Sequence, residues 1–292
     1  MISQKTEPQK MFSHSKNLNY YFNVEYYECL EEAEYDPENK KNPFQIGDGV
    51  FHRQNRTICD QFQFESANTM KPLPDGEISG RKITAFELET RYPGLLIGTG
   101  NPHGTGNQDD AGLGFTFDYV TGMPYLPGSS VKGLLRSVFI NEPEYIKDWM
   151  KNEKNLEIKP EELEKSIFGE RQAEMYRCSL YKRDIFFDAI IIRGGKDNKI
   201  METDNITPHH SSSSEQSGEA ELAEPVPVTM LKIRPHVTFR FQFALRDSLA
   251  KDDKTVLLSA NKKKELFKSI LCDFGIGAKT NVGYGILVDP NA

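Results

Sequence analysis

Hydrophobic and polar positions alternate most cleanly over residues 238–245 (TFRFQFAL), where Phe239, Phe241, Phe243 and Leu245 fall on one side and Arg240 and Gln242 on the other. A period of two is that of a strand with one buried face. Residues 82–90 (KITAFELET) and 94–97 (GLLI) read as strand, and a glycine-rich turn follows them. Residues 184–193 (DIFFDAIIIR) form a β-branched and aromatic run of the kind found in buried strands, and 284–289 (YGILVD) reads as a last strand. Two stretches change period. Residues 129–139 read as a helix, and so do 261–274 (NKKKELFKSILCDF), where Leu266, Phe267, Ile270, Leu271 and Phe274 make one apolar stripe. Gly275 stands where a helix stops. The order β-α-β-β-α-β predicts an α+β fold with a ferredoxin-like core. That order is also the skeleton of the RRM, which binds RNA on one sheet face.

The remaining sequence surrounds this core. The first eighty or so residues are polar, acidic and rich in aromatics without clean periodicity, and read as an extension with some packed aromatics. Residues 142–166 are charged and helical, an insertion between the first helix and second strand. Residues 204–225 (DNITPHHSSSSEQSGEAELAEP) are rich in Ser and Glu and read as a mobile loop. The expected organisation is one domain over residues 1–292. It comprises an N-terminal extension (1–80) and a core (82–292) with long insertions at about 141–183 and 194–226 and glycine-rich loops.

Composition narrows the class. No stretch is apolar for long enough to span a bilayer, and the N-terminus lacks the apolar centre of a signal peptide. Cys29, Cys59, Cys178 and Cys272 are scattered without CxxC pairing, which argues against a disulfide framework or zinc ribbon and for a reducing compartment. A cytoplasmic protein without membrane partners is expected. The net charge of −7 opposes nucleic-acid binding at first sight. However, residues 25–38 hold seven acids and 201–224 hold six, neither with a Lys or Arg, while 261–281 carry five lysines against two acids. A local basic surface therefore remains open to the fold.

Four stretches carry candidate chemistry. In residues 124–139 (PYLPGSSVKGLLRSVF), Pro and Gly set a turn and Ser129 or Ser130 can cap the helix that follows. Lys132 and Arg136 are four apart and share one outward face. Free amides at a helix start beside a hydroxyl and two cations can cradle a phosphate, though an ordinary capped helix with a solvated basic face explains the same residues. In residues 274–285 (FGIGAKTNVGYG), Gly275, Gly277, Gly283 and Gly285 permit close approach; Lys279, Thr280 and Asn281 add a charge and donors, and Tyr284 a stacking face. A P-loop is excluded, because Ala278 and Asp273 stand where its two glycines belong. Phosphate-backbone contact fits this stretch better than a plain connection.

Residues 98–107 (GTGNPHGTGN) lack the spacing and following helix of a dinucleotide site. His103 there reads as a group that positions or stacks on RNA, with a general base as the sharper alternative. Asp109 and Asp110 could hold a metal but read first as solvated turn acids. His209 and His210 are neighbours without a ligand-spaced partner, so no metal site is expected.

The PGSSVKGLLR and GIGAKTNVGYG stretches together resemble the two hallmark motifs of the RAMP superfamily, the repeat-associated RNA binders of CRISPR systems. The 204–210 tract, EPVPVTMLKI and the Phe-rich strand are similar to the sixth-subunit family of the type III-B Cmr effector complex. This resemblance implies a modified RRM-like core and a non-catalytic, cofactor-free RNA binder near the 3′ end of the guide, capping a backbone filament in antiviral defence. Its partners would be CRISPR guide RNA, target RNA and other RAMP subunits. Ser129, Ser130, Lys132 and Arg136 match the first motif; Gly275, Gly277, Lys279, Thr280, Asn281, Gly283, Tyr284 and Gly285 match the second. Asn281 departs modestly from the small residue usual after Thr280. Two enzyme alternatives stay open: a guide-processing ribonuclease with His103 as base and Lys279 stabilising the leaving group, or a target-cleaving backbone subunit acting through Asp109 or Asp118.

Overall fold

The alternating segment becomes the centre of the main sheet. A computed structural model of the chain describes residues 16–32, 34–35, 38, 44–45, 49–97, 105, 109–111, 116–154, 159–169, 183–206, 227–249 and 255–291. Among these the helices are α1 (Leu18–Asn23), α2 (Val50–Gln61), α3 (Gly128–Asn141), α4 (Pro143–Lys154), α5 (Pro160–Phe168) and α6 (Ala260–Phe274). The strands begin with β1 (Glu34–Tyr35), β2 (Phe44–Gln45), β3 (Glu77–Ile78), β4 (Arg81–Thr90) and β5 (Tyr125–Leu126). They continue with β6 (Ile185–Phe186), β7 (Ala189–Arg193), β8 (Met201–Ile206) and β9 (Val228–Ile233). The last are β10 (Thr238–Leu245), β11 (Ser248–Leu249), β12 (Val256–Leu258) and β13 (Leu287–Val288). The architecture is α+β with antiparallel sheets.

The main sheet runs β13-β4-β10-β7-β5, with β3 on β4 and β6 on β10. Its backbone is the long β10–β4 ladder, which sets Phe241 opposite Phe86 and Phe239 opposite Leu88. These apolar positions face α3 and α6: Phe243 meets Phe267 with ring centroids 5.4 Å apart, and Phe186 meets Phe267 at 5.7 Å. Burying each such ring contributes roughly 1.5–3 kcal/mol.

The opposite face differs from what an RRM leads one to expect. On β4 and β10 it presents Glu87 paired with Arg240 at 3.2 Å, and Gln242, with no aromatic on either strand. Gln242 Nε2 donates to the Leu73 carbonyl and Leu73 N–H donates to Gln242 Oε1, both at 3.0 Å, while Thr69 Oγ1 donates to the Ile191 carbonyl at 3.1 Å. Residues 69–73 therefore cross the face where an RRM would lay its RNA.

Several expectations need correction. The run 184–193 is broken into β6 and β7, because Phe187 N–H turns to the Gln242 carbonyl and Asp188 Oδ1 accepts from Gly128 N–H. Residues 94–97 are buried but pair only through a Leu95–Ile233 bridge. The 204–225 tract is not all loop. Asp204, Asn205 and Ile206 end β8, paired with Met230, Thr229 and Val228 of β9; residues 207–225 lie outside the described ones. Several N-terminal aromatics are packed, as expected, while Tyr20 is exposed. Tyr21, Phe22, Tyr26, Phe51 and Ile58 are fully buried, and Tyr26 OH donates to Asn55 Oδ1 at 2.9 Å while accepting from Ala111 N–H at 3.0 Å.

Candidate functional site

The glycine-rich stretch follows directly from how α6 ends. Gly275 N–H donates to the Leu271 carbonyl, Ile276 N–H to the Gly285 carbonyl at 3.0 Å, and Ala278 N–H to the Leu96 carbonyl at 3.0 Å. Gly285 N–H in turn donates to the Gly94 carbonyl at 2.8 Å. Gly285 has φ +77°, and a Cβ there would overlap the Ile276 carbonyl. The base of the loop is thus fixed by backbone bonds that only glycine permits. Its rim is open. Gly277 to Val282 are exposed, and Lys279 adopts left-handed φ 60°, ψ 35° before a 3₁₀ turn at Thr280–Val282. Val282 and Gly283 N–H groups are bonded within that turn, whereas those of Lys279, Thr280 and Asn281 have no backbone acceptor among the described residues. A row of exposed amides beside an ammonium is an arrangement that receives anions.

Behind the rim stands a cluster that sequence reasoning missed. Lys232 of β9 is 4% exposed, yet its Nζ donates to Asp204 Oδ2 at 2.6 Å and lies 3.6 Å from Glu202 Oε2. The same Nζ sits 5.9 Å from the ring centroids of both Tyr92 and Tyr284. Tyr284 OH donates to Asp204 Oδ2 at 2.8 Å. Burial, and then Asp204, push the Tyr284 hydroxyl up to about 12. Burial alone would raise the Asp204 carboxyl, but hydrogen bonds from Lys232, Tyr284 and the Asn205 N–H outweigh it and hold Asp204 below its ordinary value. Tyr284 is therefore tied into the β8–β9 ribbon. The alternation in Val228–Ile233, with a lysine in an otherwise apolar run, was the available signal.

The other motif is arranged differently. Pro127 is the N-cap of α3, and Ser130 and Val131 N–H groups donate to its carbonyl at 2.9 and 3.1 Å. Ser129 and Ser130 lie exposed inside the first turn and neither caps it, because the helix begins two residues earlier than a cap at Ser129 requires and three earlier than one at Ser130. Lys132 and Arg136 do not share a free outward face. Arg136 Nε donates to Glu164 Oε1 at 2.5 Å and its Nη2 to the Gly169 carbonyl at 3.0 Å. Lys132 Nζ stands 5.9 Å over the Phe186 ring. Burial, then the neighbouring Arg183 and Arg136 charges, lower the Lys132 ammonium below its ordinary value. This is a crowded positive corner that an anion would relieve.

The two junctions do not meet. The start of α3 lies by Phe186, which pairs with Phe243, while the glycine-rich loop joins β13 and Thr90 near Thr238. Five residues of β10 separate them, about 16 Å along the strand.

The third loop is only partly described; His103 lies outside the described residues, as do His209 and His210. The described acids beside it make local hydrogen bonds. Asp110 is 5% exposed rather than solvated, and its Oδ2 accepts from Thr105 N–H at 2.9 Å. The Asp109 carbonyl accepts from Asn55 Nδ2 at 2.7 Å. Asp118 Oδ2 accepts from Thr121 N–H at 2.7 Å and Thr121 Oγ1 at 2.6 Å, closing a turn. Among the described residues no group of three His, Cys, Asp or Glu is placed to hold a metal ion, and no helix is long and apolar enough to cross a membrane.

Comparison with known proteins gives the family. The RAMP superfamily model matches residues 87–288. The chain is 30% identical over 212 residues to the CRISPR system Cmr subunit Cmr6 of Pyrococcus furiosus, a match covering 58% of each protein. It is 31% identical over 211 residues to the CRISPR system CMR subunit Cmr6 of Saccharolobus solfataricus, covering 70% of this chain and 57% of that relative. The matched region thus spans less than two thirds of either relative. A chain in a cryo-EM structure of the Type III-B Cmr-beta bound to cognate target RNA shares the fold, with a TM-score of 0.51 at 24% identity over 81% of this chain and 70% of that one.

Proposed function

Because the chain belongs to the RAMP superfamily, we propose that it is a non-catalytic RNA-binding subunit of a type III-B CRISPR effector ribonucleoprotein. The observation that carries the reading is the open rim at Lys279 to Asn281, where an exposed ammonium and three amides face outward from a backbone pinned to the core. Guide or target RNA is the polyanion on this reading, and other RAMP subunits are the protein partners; the names of the relatives give a CRISPR system Cmr subunit and, for the solved structure, a cognate target RNA. On this reading the chain sits near the guide 3′ end and caps a backbone filament. The strand order β13-β4-β10-β7 supports a ferredoxin-like βαββαβ core within a single domain, with residues 1–80 as its extension.

Gly277, Lys279, Thr280 and Asn281 form one phosphate contact, with Gly275 in the buried base that holds them and Tyr284 as the post beneath. Ser129, Ser130 and Lys132 form a second, with Arg136 steadying the corner from its bond to Glu164. His103 is a further RNA contact on this reading. With β10 running between them, the two contacts fall on successive stretches of one strand and not on a single phosphate.

The test is a salt titration of single-stranded RNA binding by the full chain. Lys279→Ala and Lys132→Ala should each lower the slope of log affinity against log salt by about 0.7, the share of one phosphate contact on a single strand. Slopes equal to wild type in both variants would remove the reading. Incubation of repeat RNA in EDTA separates it from the ribonuclease alternative: cleavage lost on His103→Ala would replace a binder with an enzyme.

A further inference from the structure

We infer that the exposed ring of Tyr92 is a stacking platform for one unpaired base of the RNA whose phosphate is held by Lys279. This rests on the RNA-binding reading and adds to it a base subsite. Tyr92 is 81% exposed, an unusual position for a ring whose neighbours are this well fixed. The turn that carries it is clamped from both sides. Arg91 N–H donates to the Ile286 carbonyl at 3.0 Å, Gly94 N–H closes the turn onto the Arg91 carbonyl at 2.7 Å, and the Gly94 carbonyl accepts from Gly285 N–H. Leu95 N–H donates to the Ile233 carbonyl at 2.9 Å, and Gly94, at φ +117°, lies so close to that carbonyl that a Cβ would overlap it. Tyr92 therefore stands on rigid backbone, so little ordering entropy remains to be lost when a ligand meets it.

Its surroundings choose the ligand. One side of the ring looks to Lys232 Nζ at 5.9 Å, and that ammonium is shared with Tyr284 and held by Asp204. Pro93, the next residue, abuts Gly283 at the end of the Lys279–Gly283 rim. An aromatic face, a fixed cation behind it and an exposed ammonium along the same edge together suit a base attached to a phosphodiester. Val282 and Ile286 are also exposed along this edge, so a protein partner would meet a short apolar strip; the ammonium groups of Lys232 and Lys279 beside the ring favour the nucleic acid. Stacking has no need of a donor–acceptor code, so the subsite accepts any base and favours purines by surface overlap.

The experiment measures binding of the full chain to a labelled single-stranded oligoadenylate and to the same strand made abasic, in wild type, Tyr92→Ala, Tyr92→Phe and Lys279→Ala. Tyr92→Ala should weaken oligoadenylate binding by about 5- to 150-fold, the range expected for one stacked base. It should leave both the salt slope and the abasic strand unaffected, and Tyr92→Phe should restore affinity. Lys279→Ala should weaken both strands and lower the salt slope. If Tyr92→Ala binds oligoadenylate as wild type does while Lys279→Ala is impaired, the platform is wrong and the RNA-binding reading stands. If Tyr92→Ala weakens both strands equally, the ring acts without a base and the platform is again wrong. If wild type binds neither strand, both readings fall. Thermal unfolding of Tyr92→Ala should match wild type, since the exposed ring leaves no cavity.

Discussion

The two ends of α6 carry lysines of opposite fate. At the N-terminal end Ser259 caps the helix, and Lys263 turns inward to donate to Asp184 Oδ2 at 2.6 Å, both side chains fully buried. Asp184 Oδ1 also accepts from Arg246 N–H at 3.0 Å. At the C-terminal end Lys279 stands exposed on a glycine-held rim. Charge counting along residues 261–281 treats these lysines as one basic surface; the fold assigns one to the interior and one to solvent. Lys262 and Lys268 are committed as well, to Glu265 and Asp289. A ligand meets a far smaller positive surface than the sequence advertises. What matters is which ammonium lacks a carboxylate.

The largest effect should come from the inner end. Lys263→Met leaves Asp184 buried without its partner and should cost about 3–5 kcal/mol in chemical denaturation. Burial already lowers the Lys263 ammonium and raises the Asp184 carboxyl, so Lys263→Met with Asp184→Asn should recover part of that loss. A single-variant loss below about 1 kcal/mol would show that the two ends of α6 do not differ as described.

Gly285→Ala comes next. Positive φ and overlap with the Ile276 carbonyl should cost roughly 1–3 kcal/mol and abolish RNA binding with it. Unchanged stability would mean that the loop base is not fixed. A pH effect follows in size. Asp204 is held below its unfolded value of 3.8, so its contribution is complete above that pH and is lost as pH falls through the lower folded value. Asp204→Asn should flatten this acid limb; an identical limb in variant and wild type would detach the ribbon from the loop. The smallest effect on stability belongs to Lys279→Ala, expected within about 0.5 kcal/mol while RNA affinity drops.

Much of the central architecture was legible because period and caps agreed there. Thr238–Leu245 alternates as written, α6 spans 260–274 against the expected 261–274, and β4 spans 81–90 against 82–90. The N-terminal helix α2 escaped, because one of its three buried positions, Phe51, Asn55 and Ile58, is a polar residue that bonds to Tyr26. The β8–β9 ribbon escaped because an acidic, serine-rich tract interrupts its two strands. Lys263 was visible in principle: it falls three and four residues before Leu266 and Phe267, on the apolar stripe itself. A lysine at such a position asks for a buried acid elsewhere. At the candidate site, the composition of the glycine-rich stretch was readable, but the capping by Pro127 in place of the serines was not. The Pro127 carbonyl accepts the ordinary first bonds of the helix and no side chain caps it; composition does not say at which residue a helix begins.

The irregular segment of residues 69–73 over Gln242 has a wider meaning. By laying its own N-terminal segment along the sheet, the polypeptide acts as a resident substitute for the strand that a related surface would leave for nucleic acid. On the proposed function, recognition would move from the flat of the sheet to its margin, where short loops can change without disturbing the packing beneath. A chain shortened to begin after Leu73 would strip this cover and bare the polar side of β10, turning a sealed surface into a second place for a strand to land.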